Sequence, residues 1–125
     1  MGYRKSFYDT VEQVDNIDLN LSKALATSDE SALQKYLMDT AINSELAEND
    51  LQQLPLQDES KHYTTKLVNQ IGDYSKYLNN KISRGEDLTE QDIQGLEGYK
   101  IKKIIIVSRC FNFGHIPLRT RSTER

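Results

Sequence analysis

Six apolar residues between Ser60 and Ser83 constrain what this chain can fold into more than any other feature. Tyr63, Leu67, Ile71, Tyr74, Leu78 and Ile82 recur at steps of four, four, three, four and four. Side chains three and four apart stack on one side of an α-helix, so the spacing predicts a helix with a single apolar stripe. A strand would need alternation, which is absent. Gly72 sits in the middle of the stripe, where glycine costs roughly 1 kcal/mol against alanine. Either the helix tolerates it, or another helix backbone passes close by at that point.

The segments before it carry the same kind of pattern. Tyr3 to Ala26 reads as helix 1, with Phe7, Val11, Val14, Leu21 and Leu25 as its stripe and Ile17 and Ala24 widening it. Asp18 falls on the heptad position between Val14 and Leu21 and is expected to lean out to solvent, because an unpaired buried carboxylate is costly. Thr27 or Ser28 can cap helix 2, with Asp29 and Glu30 at the positive end of its dipole. Helix 2 is expected from about Asp29 to Leu54, with a seam of Leu33, Leu37, Thr40, Ser44, Ala47, Leu51 and Leu54. Its large residues lie at the ends and its small ones in the middle. Folding helix 1 back about Ser28 brings Phe7 and Val11 level with Ala47 and Ser44, and folding helix 3 back about Pro55 brings Gly72 level with Thr40 and Ala41. Large then meets small, as dense packing requires. Thr40, Ser44 and Ala47 of helix 2, with Gly72 and Tyr74 of helix 3, are therefore the candidate interface or close-packing residues.

Pro55 ends helix 2, since proline disfavours helical backbone in the residue before it. Asp58 or Ser60 starts helix 3, and Gly85 lies where a left-handed terminator belongs. Thr89 and Asp92 form an acidic variant of the capping box at the start of helix 4, with Leu88 and Ile93 as a hydrophobic staple. The apolar pattern begun by Ile93 and Leu96 stops after Gly98. The expected fold is an all-α antiparallel bundle of three long helices plus the start of a fourth.

Charge divides the chain at the same place. Residues 1–98 carry 18 acidic and 9 basic side chains, a net charge of −9, whereas residues 99–125 carry one acidic and seven basic, a net charge of +6. The expected organisation is a helical bundle domain over 3–98 and a basic tail over 99–125 that does not look native to it. A reading-frame shift or a truncated gene would give such an abrupt change; the functional alternative is a basic, apolar tail lying on an anionic membrane.

No chemistry-bearing constellation emerges. Glu59 and His62 have the E-x-x-H spacing of carboxylate-bridged metal sites in bundles, but residues 1–98 contain no second histidine to complete a set, so no metal is expected. Cys110 and His115 lack an orienting carboxylate nearby, so they are not read as a nucleophile pair. One cysteine allows no internal disulfide. Gly95 and Gly98 follow a helix start rather than a strand and make no phosphate loop. The acidic helical body argues against nucleic acid, and nothing resembles a signal peptide or a membrane span. The chain is read as a non-enzyme without a cofactor, built around packing surfaces and open to self-association.

Four stretches, taken in order, bring a known family in. YRKSFYDTVEQVDNIDLNLSKAL (Tyr3–Leu25), and LQQLPL (Leu51–Leu56) followed by KLVNQIGDYSKYL (Lys66–Leu78), resemble the N-terminal region of the spore germination protein YpeB, as does GEDLTEQDI (Gly85–Ile93). The resemblance covers roughly 3–98, in order and at conserved spacing. It implies a role in endospore-forming bacteria, as a partner needed for the cortex-lytic enzyme SleB to be stably present in the spore. It implies a location in the spore, at the outer side of the inner membrane or the cortex. Members of that family have a membrane anchor, a helical domain and PepSY domains, so this chain is expected to represent the helical domain in isolation, meeting a membrane only through an anchor it lacks. The alternative reading is an extracytoplasmic ligand-sensing bundle.

Overall fold

Each periodic segment becomes a helix. The computed structural model describes residues 2–55 and 58–114, with side chains at 5, 7–55, 59 and 61–102. It contains α1 (Gly2–Ala26), α2 (Glu30–Gln52), α3 (Asp58–Ser83) and α4 (Glu90–Gly114), and no strand among the described residues. α1 packs against α2 and α4, and α2 packs against α3; the seam between α3 and α4 is the thinnest. The all-α antiparallel bundle expected from the sequence is the fold. Asn16 donating to Asn43 across α1 and α2, and Gln34 to Ser83 across α2 and α3, mark the antiparallel pairing of neighbours.

Burial follows the stripes with a small rotation. Val14, Ile17, Leu21 and Ala24 of α1 meet Leu37, Ala47 and Leu51 of α2 and Leu67, Val68, Ile71, Leu78 and Ile82 of α3, with Leu96 from α4. Phe7 and Leu25 only flank this core, whereas Thr10 is fully buried. In α3 the buried face turns toward Thr64, Val68 and Ser75, leaving Tyr63 at the N-terminal end of the stripe 42% exposed. A stripe of steps three and four fixes a face to within about one residue's turn, and the neighbours that α3 meets decide the rest.

Several local devices end and start the helices. Glu86 N–H donates to Lys81 O and Gly85 N–H to Ile82 O, the two bonds of a Schellman motif, with Gly85 at φ 84°. Thr89 Oγ1 accepts from Asp92 N–H at 3.1 Å, while Asp92 Oδ2 accepts from Thr89 N–H at 2.9 Å, which is the expected reciprocal box. The start of α2 differs from expectation. Asp29 itself is the cap, its carboxylate accepting from Ala32 N–H, while Thr27 Oγ1 accepts from Asp29 N–H. The Asp29 carboxylate reaches the free amide, and the Thr27 hydroxyl holds the cap in place.

Two further expectations are corrected. The fourth helix does not stop near Gly98 but continues to Gly114. Residues 99–113 contain neither proline nor glycine, and β-branched residues lower helix propensity by only tenths of a kcal/mol each, about 0.7 at most. Loss of amphipathic period therefore does not end a helix. Asp18 does not lean free into solvent: it is partly shielded, with Lys100 Nζ of α4 at 4.0 Å. Residues 115–125, including His115, lie outside the described residues, as does the side chain of Cys110.

Candidate functional site

The close-packing residues predicted from the sequence fall on two seams. On the α2–α3 seam, Gly72 lies against Ser44: a Cβ added at Gly72 would stand 3.0 Å from Ser44 Cβ and 3.9 Å from the Ala41 carbonyl. Gly72 thus meets Ala41 as expected, with Ser44, one turn further along α2, in the place of Thr40. Thr40, Ser44 and Ala47 are all buried in the core face of α2. Thr40 Oγ1 donates to Tyr36 O at 2.8 Å, and Ser75 Oγ donates to Ile71 O at 2.9 Å. Each hydroxyl so satisfied can sit in an apolar interior at little cost. Ser44 Oγ has no such partner.

Tyr74 belongs to the other seam. Its hydroxyl donates to Asp92 O of α4 at 2.9 Å, and its ring rests against Tyr99 at 5.4 Å and Tyr77 at 6.0 Å. Burial, then the charge of Asp92, pushes its phenol above the ordinary range. Gly95 makes this position possible, since a Cβ there would lie 2.7 Å from Tyr74 Cζ. The structure therefore separates Tyr74 from the other four predicted residues.

A buried ion pair completes the α3–α4 seam. Lys81 Nζ lies 2.6 Å from Asp92 Oδ2, with both side chains about nine-tenths shielded. The hydrogen bond from Lys81, and then the backbone amide of Thr89, hold the Asp92 carboxyl below the usual range; the bond to Asp92 raises Lys81. One carboxylate therefore caps α4 and ties it to α3. Sequence reasoning saw the cap but missed the lysine and Gly95. The available signals were Lys81 lying beside Ile82, three residues after Leu78, and a glycine in the first turns of α4 where alanine would be preferred.

Two larger concave surfaces stand out among the described residues. A polar groove of about 460 Å³ runs between α2 and α3, lined by Glu48, Gln52, Lys61, His62, Thr65, Lys66 and Asn69. His62 stands with Lys61 and Lys66 there, and no group of three or more His, Cys, Asp or Glu is placed to hold a metal among the described residues. The second is a cleft of about 200 Å³ at the end of the bundle where the α1–α2 and α3–α4 connections lie.

Residues 1–106 match the family model described as YpeB N-terminal. No curated protein and no solved structure matches the chain.

Proposed function

The chain belongs to the YpeB N-terminal family, a family of sporulation and germination proteins, and on that premise we propose that it is a non-enzymatic partner that stabilises or positions a SleB-type cortex-lytic enzyme through contacts of its bundle. The family match is the observation that carries the reading. The physical properties of the bundle are consistent with it: helices approach closely at Gly72 and Gly95, and the larger hollows lie on outer surfaces. Its place of action on this reading is the spore, at the outer side of the inner membrane or in the cortex. No described helix is long and apolar enough to cross a membrane, so attachment there would rest on other segments or on the partner.

The test is made in an endospore-forming host. Spores of a strain lacking the gene are compared with spores carrying it, and the cortex-lytic enzyme is quantified by immunoblot. Loss of the enzyme from the mutant spores, restored by the chain, is the expected result. Equal amounts in both strains would refute the role.

The polar α2–α3 groove favours a second reading, a bundle that senses a small ligand. A saturable shift in melting temperature with a germinant or a cortex fragment, independent of any enzyme, would select it.

A further inference from the structure

The cleft at the loop end of the bundle has a floor and a rim of opposite character. Leu25, Leu33, Leu88 and Ile93 form much of its lining, and Ile93 is 39% exposed although it stands in the first turn and a half of α4. Four elements contribute to this hollow: the end of α1, the start of α2, the end of α3 and the start of α4. An apolar hollow left open on a small domain marks a binding surface more often than an isolated exposed side chain does.

The rim is acidic. Glu30, Glu86 and Asp87 line it, and no lysine or arginine does. Arg84 satisfies Glu86 from outside at 3.0 Å, whereas Glu30 and Asp87 join no ion pair among the described residues. Nearby Lys23 is turned toward the ring of Tyr36. An occupant with a large apolar side chain would displace water from the floor, and flanking cations would meet the two free carboxylates.

Taking the partner reading above as given, we propose that this cleft docks a basic segment of the cortex-lytic enzyme, which inserts one large apolar side chain between Leu33 and Ile93 and sets lysine or arginine against Glu30 and Asp87. Charge complementarity selects such a segment over a neutral or acidic one and makes the contact salt-dependent. The rim residues lie outside the core, so they can be changed without unfolding the bundle.

The test titrates the full chain with the purified enzyme by calorimetry, beside Glu30→Lys, Asp87→Lys and the double variant. Lys66→Glu, in the separate α2–α3 groove, is the control, and circular dichroism checks the fold of each. Expected is a loss of affinity of about tenfold or more in the double variant, with a flatter salt dependence and an unchanged control. Binding that is equal in wild type and double variant overturns the cleft while leaving the partner reading intact. No binding by the wild type overturns both. Self-association of the chain that the same rim variants abolish, seen by sedimentation, would replace the enzyme with a second copy and also overturn the proposal.

Discussion

Two glycines three residues apart in α4 should respond in opposite directions to the same substitution. Alanine at Gly98 adds a methyl group where no heavy atom lies within 4 Å. Only helix propensity changes, and the domain gains about 1 kcal/mol. Alanine at Gly95 places the same methyl 2.7 Å from Tyr74 Cζ and 3.0 Å from Cε2. That ring is held by its hydroxyl bond to Asp92 O and by the rings of Tyr77 and Tyr99. To admit the methyl it must move, losing about 1 kcal/mol of net hydrogen bonding and incurring about 1–3 kcal/mol of overpacking. Set against about 1 kcal/mol of gained propensity, the net loss is about 1–3 kcal/mol. Thermal unfolding followed by far-UV circular dichroism reads both signs. At roughly 3–5 °C per kcal/mol for a domain of this size, Gly98→Ala should melt about 3–5 °C higher and Gly95→Ala at least as far below wild type. Adding Tyr74→Phe to Gly95→Ala should recover part of the loss relative to the sum of the single effects, since the hydroxyl is the atom nearest the added methyl. A Gly95→Ala protein melting at or above wild type would refute the packing described for this seam.

Gly72→Leu should destabilise the bundle strongly, because the Ser44 side chain and, behind it, the Ala41 carbonyl stand where the new side chain would go; Leu78→Asp should do so by burying a carboxylate in the core. Melting temperatures within a degree or two of wild type would refute both. The Lys81–Asp92 pair should give a pH signature. The Asp92 carboxyl is lowered in the fold, so its stabilisation is complete above the ordinary carboxylate range and is lost as pH falls through its folded value; Lys81 is raised, so its contribution is lost only as pH rises beyond the ordinary lysine range. The melting-temperature gap between wild type and Asp92→Asn should accordingly be flat between roughly pH 5 and 9 and narrow in acid; a gap independent of pH down to acid unfolding would contradict it. Burial, and then the neighbouring Asp9 charge, raises the Asp50 carboxyl, so Asp50→Asn should raise the melting temperature at neutral pH, by an amount that shrinks as pH falls through the carboxylate range.

What the sequence made legible was chiefly local. The cap at Thr89 and Asp92 and the terminator at Gly85 depend on residues within five positions of one another, and both stand as read. The stripe of α3 gave the helix and most of its buried face, yet misplaced Tyr63, because the exposure of its first turn depends on what lies beside it. Gly95 under Tyr74, and Lys81 beside Asp92, join residues 21 and 11 positions apart on helices whose adjacency no stripe specifies. The run of α4 beyond Gly98 was hidden for a different reason. Its residues permit a helix without repeating at helical period, so pattern alone could not distinguish continuation from a break. Among the candidate residues, the small face of α2 does lie opposite Gly72, with Ala41 in contact as expected and Ser44 in the place of Thr40.

On the proposed function, the bundle itself contacts a cortex-lytic enzyme. Calorimetric titration of the purified chain into a purified SleB-type enzyme tests this without any other spore component. Saturable binding that disappears when Gly72→Leu disrupts the bundle is the expected result. No heat and no complex with the folded chain, at concentrations where both proteins remain soluble, would contradict it.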